Sequence, residues 1–140
     1  LRNELLYLVD EDTRSFDRII AAMGLPKSSE EDKATRKKAI LEATKGAINT
    51  PLRTMQVCVD SMELMMAMAE KGLQASVSDA GVGALCARTG AIGAYLNVKI
   101  NCVGLEDEAL RTDVLKKAEA LKIEAEQLEG KVMAMTLEKI

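Results

Sequence analysis

The sequence predicts an all-α fold, a long antiparallel helical bundle completed by dimerisation. Apolar residues recur at three- and four-residue spacing along nearly the whole chain, and no strand-like alternation survives comparison with that period. Only two prolines and nine glycines punctuate 140 residues, which leaves room for few turns.

The first helix should run from about Leu1 to Met23. Leu5, Leu8, Val9, Phe16, Ile19, Ile20 and Met23 already follow helical spacing with no capping residue ahead of Leu1. The expected domain is therefore 1–140, incomplete at its N-terminus. Gly24 followed by Leu25-Pro26 should end the helix, with Gly24 in the left-handed conformation. Ser28 and Glu31 read as a capping box opening a second helix that continues to Lys71-Gly72. Pro51 lacks an N–H and should kink or interrupt it.

A third helix should open at Ser76-Val77-Ser78-Asp79 and reach about Asn101. It carries Gly81, Gly83, Gly90 and Gly93, each unfavourable in a helix by roughly 1 kcal/mol relative to Ala. Close packing of another backbone or of a ligand would offset that cost. Glu106 or Asp107 should cap a fourth helix with a coiled-coil-like seam: Leu110, Val114, Ala118, Leu121, Ala125, Leu128, Val132 and Met135. A seam of that length asks for a mate, and five methionines between Met55 and Met68 suit irregular apolar contacts. A second copy of the chain is the expected mate.

Composition excludes several function classes. There is no histidine, so Ser-His-Asp triads, Cys-His pairs and HExxH zinc sites cannot be built within the chain. Proton transfer must use Asp, Glu, Lys, Tyr or Cys. Cys58, Cys86 and Cys102 form no CxxC, so no metal site is expected and a reducing, cytoplasmic setting is. A net charge of −3 and 2% aromatic residues argue against nucleic acid as a partner. No apolar run is long enough to span a membrane.

Two helical faces stand out as candidate chemistry. On the first helix Leu5, Val9, Asp12, Phe16 and Met23 fall on one line, which puts Asp12 in the centre of an apolar stripe. Its carboxyl should be desolvated and its pKa raised. The competing reading is a carboxylate bonded at a helix junction. On the third helix Asp79, Gly83, Cys86, Gly90, Gly93, Asn97 and Asn101 share a face. A glycine floor with a carboxylate at one end and two amides at the other suits a flat polar heterocycle. The competing reading is a small-residue helix contact, with Asn97 and Asn101 satisfying backbone groups. Lys27, Lys33, Arg36, Lys37 and Lys38 form a basic patch, either a solvated face or an attractor of an anionic tail.

Val9-Asp10-Glu11-Asp12 with Phe16, Leu25-Pro26-Lys27, Ala43-Thr44 with Pro51-Leu52, and Lys71-Gly72 make up one set of segments. Val77-Ser78-Asp79-Ala80-Gly81-Val82, and Gly93-Ala94 with Asn97-Val98-Lys99-Ile100-Asn101, complete it. Together they resemble the cyclodeaminase/cyclohydrolase family of folate one-carbon enzymes, over nearly all 140 residues. Family members carry a glycine-rich turn and a small-residue helix upstream, and the resemblance implies that this segment forms part of the folate cleft. At Leu73-Gln74-Ala75 the chain departs from the family's Asn-rich loop.

The resemblance implies cyclisation of 5-formimidoyltetrahydrofolate to 5,10-methenyltetrahydrofolate with release of ammonia, a step of histidine degradation. The alternative reaction is hydrolysis of methenyltetrahydrofolate to 10-formyltetrahydrofolate. A non-catalytic dimerisation module is the third reading. Asp12 and Asp79 would be catalytic. Lys27, Ser78, Gly90, Asn97 and Asn101 would bind substrate. No cofactor is implied beyond the folate, which the resemblance allows to be polyglutamylated. The implied partners are a homodimer or larger homo-oligomer and a fused or associated formimidoyltransferase.

Overall fold

The computed structural model describes residues 1–140. Four helices carry the fold: α1 Arg2–Met23, α2 Glu30–Lys71, α3 Val77–Cys102 and α4 Glu108–Lys139, with a 3₁₀ turn at Gln74–Ser76 before α3. No residue is in a strand.

The helix ends are set by local chemistry. Gly24 has φ −76°, so α1 does not end in a left-handed residue as expected. Instead its last turn tightens, with Gly24 N–H directed at Ile20 O and Ala21 O, and Leu25 N–H at Ala22 O. Pro26 then prevents continuation. The capping box on α2 lies one residue later than the sequence suggested. Asp32 N donates to Ser29 Oγ and Ser29 N to the Asp32 carboxylate, each at 3.0 Å. At α4, Leu110 N donates to Asp107 Oδ1 at 2.9 Å. The C-terminus of α2 is closed from elsewhere in the chain: Lys139 Nζ donates to Ala69 O and Glu70 O at 2.6 and 2.8 Å.

α2 runs through Pro51 as one helix of 42 residues, so of the two expected effects, a kink or an interruption, the interruption does not occur. α3 packs against it antiparallel. Met65 meets Gly83, Cys58 meets Gly90, and Ala47 meets Asn101. Seven residues down α2 match seven residues up α3, then eleven match eleven. α4 returns antiparallel to α3, with Glu129 beside Arg88 and Glu119 bonded to Tyr95. It therefore lies parallel to α2, as Lys37–Glu106 at one end and Lys139 on Ala69 at the other confirm.

These three helices enclose the core. Ile48, Met55, Val98 and Val114 fill one end, Val59, Met62, Ala91 and Ala125 the middle, and Ala69, Ala80, Ala84 and Val132 the other end. The alanines on α3 and α4 let the axes approach closely, which offsets part of the glycine cost. The α4 seam is thus occupied by α2 and α3 of the same chain: Val114, Ala118, Ala125, Leu128 and Val132 are buried within it. The sequence was right that the seam needs a mate, but the mate is internal.

α1 lies outside this trio, packed antiparallel on α2. Leu8, Ser15 and Ala22, seven residues apart, are its buried line. Arg18 donates to Ser15 Oγ at 2.8 Å, and Ser15 and Thr50 hydroxyls meet at 3.1 Å. The Thr50 hydroxyl donates its one proton to Gly46 O at 3.2 Å, so in the Ser15–Thr50 bond the proton comes from Ser15. This relay pins α1 to the middle of α2 and fixes its rotation.

Candidate functional site in the trough between α1 and α3

That rotation decides where Asp12 points. The contact with α2 runs through Leu8, Ser15 and Ala22, so the line Leu5–Val9–Asp12 turns toward the gap between α1 and α3. Asp12 is exposed there, not desolvated in an apolar stripe as expected. Phe16, Ile20 and Met23 further along are also exposed.

The gap is a trough with two connected parts. One has a volume of about 380 Å³ and is lined by Leu5, Val9, Asp12, Pro51, Thr54, Gly90, Gly93 and Asn97, among others. The other, about 630 Å³, takes in Leu6, Cys58, Ser61, Leu64, Met65, Gly83 and Cys86, with Arg2 at its edge. Leu5, Val9, Thr54 and Gly90 belong to both. The first part is the polar end and the second is mainly apolar.

The glycines of α3 floor the trough, as their shared face predicted, but they do different jobs. A Cβ on Gly83 would lie 2.7 Å from Met65 Sδ, and one on Gly90 would lie 3.1 Å from Cys58 Sγ. These two permit the close packing of α2 on α3. Gly93 has nothing within 4 Å of its would-be Cβ, so it leaves open space at the polar end.

The structure therefore brings Asp12, Gly90 and Asn97 together from α1 and α3. It leaves other expected residues outside. Asp79 and Ser78 sit exposed in the first turn of α3 and line neither part of the trough. Lys27 is exposed in the α1–α2 connection, also away from it. Asn101 is committed elsewhere: its Nδ2 donates to Ala47 O at 2.8 Å. The α2 wall of Pro51, Thr54, Cys58 and Met65 escaped the sequence reading, because its members look like part of a continuous core stripe. Pro51 was the one signal that this stretch of α2 is special.

The charges near the trough are held in place by ion pairs. Glu11, beside Asp12 in sequence, is held by Arg18 and Arg14. The Arg18 hydrogen bond keeps its carboxyl below the usual range; burial opposes this, and Arg14 and Tyr7 add to the lowering. Arg53 Nε pairs with Glu4 at 2.6 Å, which raises the Arg53 pKa. Burial pushes the Cys58 thiol up, which makes it a poor nucleophile at neutral pH. Asp12 makes no ion pair. It is the trough's carboxylate, and Asn97 can offer a donor and an acceptor to a ring edge.

The structure is thus a four-helix chain with a glycine-floored trough that an exposed aspartate and an amide line from two helices. The chain belongs to the formiminotransferase-cyclodeaminase family, whose sequence model matches residues 1–120. It is 39% identical over 140 residues to a methenyltetrahydrofolate cyclohydrolase of Methylorubrum extorquens, covering all of this chain and 67% of that protein. It is 36% identical over 134 residues to the formimidoyltransferase-cyclodeaminase of Gallus gallus, covering 95% of this chain and 25% of that one. In fold it matches the crystal structure of a formiminotetrahydrofolate cyclodeaminase from Thermotoga maritima, with a TM-score of 0.85 and 25% identity. That match covers 98% of this chain and 64% of the other. The chain thus spans about two thirds of the free-standing relatives and a quarter of the formimidoyltransferase-cyclodeaminase.

Proposed function

We propose that this chain carries folate one-carbon chemistry in the trough between α1 and α3. The reaction is closure of 5-formimidoyltetrahydrofolate to 5,10-methenyltetrahydrofolate with loss of ammonia. N10 attacks the N5-formimino carbon, the five-membered ring closes and the C–N bond to the departing amine breaks. Attack within one molecule supplies proximity, so the protein's task is to orient the substrate and move protons. Asp12 takes the proton from N10 and returns one to the leaving nitrogen. Asn97 reads the pterin edge, and the glycine floor admits its flat ring. The substrate is the only cofactor-like group required. The observation that carries this reading is the meeting of Asp12, Gly90 and Asn97 in one trough.

The second reading is hydrolysis of methenyltetrahydrofolate to the 10-formyl compound. It is favoured by the full-length match of this chain to a protein named methenyltetrahydrofolate cyclohydrolase. Both reactions use the same ring system and similar proton transfers, with water in place of N10 as the group that gives up its proton in the hydrolysis. The experiment offers each folate to the full-length protein and follows methenyl absorbance. A rise with the formimidoyl substrate supports the deaminase, and a fall with the methenyl substrate supports the hydrolase. No change with either rejects both.

The proposal extends to a cytoplasmic homodimer or larger homo-oligomer, working beside a fused or associated formimidoyltransferase. Support for self-association is the apolar surface this chain leaves exposed on α1 and α3, including Phe16, Ile20, Val82, Leu96 and Ile100.

A further inference from the structure

Pro51 leaves one backbone carbonyl without its helical donor, and Asn101 replaces that donor. In α2 the Ala47 carbonyl would accept from the residue four positions on, but Pro51 has no N–H. Ala47 is 6% exposed, so water serves this oxygen poorly, and a buried unpaired carbonyl is costly. Asn101 Nδ2 reaches it from α3 at 2.8 Å. The neighbouring hydroxyls are engaged elsewhere: Thr50 donates to Gly46 O and Thr54 to Thr50 O. Pro51 and Thr54 are the α2 wall of the trough's polar end, and Asn97 stands one turn before Asn101 on α3.

We infer that Asn101 is a positioning residue. It closes the α2 backbone across Pro51 and so fixes the Pro51–Thr54 wall relative to Asn97 and Asp12. The kinetic part of this inference rests on the folate reading above; the structural part does not.

A double-mutant cycle in the full-length protein tests it. Pro51→Ala restores the missing N–H, so Ala47 can pair within its own helix and Asn101 loses its task. With Pro51 in place, Asn101→Ala should lower kcat about 10-fold with KM changed less than about 2-fold, because a shifted wall misplaces bound substrate. The midpoint of thermal unfolding should also fall by several degrees. Asn101→Asp keeps the size but, when ionised, has no proton to donate, and should behave like Asn101→Ala. With Pro51→Ala present, Asn101→Ala should cost less than about 2-fold, whatever Pro51→Ala does by itself. Equal losses in both backgrounds would overturn the inference. So would a thermal loss with kcat unchanged, which would leave Asn101 a structural clamp only. If the unmodified protein turns over neither folate, the reaction reading fails instead. Hydrogen exchange of the Thr50–Met55 amides then decides the wall's dependence on Asn101: faster exchange in Asn101→Ala, restored by Pro51→Ala, supports it, and unchanged exchange overturns it.

Discussion

Asp12 carries the sharpest prediction at the residue scale. Asp12→Asn keeps the shape and hydrogen-bonding capacity but cannot exchange a proton near neutral pH. Turnover of the preferred folate should fall by ~10²–10⁴, the range that positioned acid–base groups contribute. Asp10→Asn serves as the comparison, since Asp10 is exposed, pairs with Arg14 and lies outside the trough. Its turnover should change little. Equal rates for all three proteins would make Asp12 a bystander. Gly93→Ala tests the floor in the opposite direction. No atom opposes a methyl group there, and Ala is favoured over Gly in a helix by roughly 1 kcal/mol. The variant should unfold at a higher temperature yet show a raised KM, because the methyl enters the polar end of the trough. A higher unfolding temperature with unchanged KM would place the substrate elsewhere. Asp12 was legible from its motif, but its environment was not. The rotation of α1 is set by Ser15 and Thr50, which are 35 residues apart, and no local period reveals that bond.

Among the elements, α1 is the one held by the fewest neighbours, and part of its attachment is ionic. Arg18 joins Glu11 to Ser15, so the Glu11 carboxylate orients the arginine that feeds the relay to Thr50. Glu11 has a folded pKa below its ordinary 4.5. Its contribution to stability is therefore present above pH 4.5 and is lost as pH falls through the lower folded value. Glu119, held by Tyr95 first and Lys122 next, shifts the same way and loses its contribution in the same window. Glu11→Gln should flatten the acid side of the stability curve below pH 4.5, measured by thermal melts. Both groups reach solvent, Glu119 more than Glu11, so the effect is modest and shrinks in salt. A curve identical to that of the unmodified protein would separate α1 docking from the Glu11–Arg18 pair. The helices themselves were readable from the sequence because their boundaries carry local signals: Gly24 with Pro26 ends α1, Gly72 ends α2, and Asp107 caps the start of α4. Pro51 does not break α2, because the carbonyl it leaves unpaired finds a donor on α3.

Considered as a whole molecule, the chain closes its core with α2, α3 and α4 alone, yet leaves apolar side chains exposed on α1 and the outer face of α3. Light scattering of the full-length protein should give at least twice the subunit mass at micromolar concentration. A stable monomer would mean that another segment of its own polypeptide covers those faces.

The sequence by itself determined the helical class, all three breaks between the four helices to within a few residues, the family, and a carboxylate–glycine–amide set of which three members meet. Those properties rest on local spacing and short motifs, and they do not depend on what packs against what. Tertiary structure decided the rest. It gave the α4 seam an internal mate, because the methionine- and valine-rich face of α2 and the alanine face of α3 in the same chain fit it. It turned Asp12 from a core stripe into a trough, because a buried pair of hydroxyls sets the angle of α1. It set the Asn101 amide on a backbone carbonyl, because a proline far away in sequence left a buried oxygen that needed a donor.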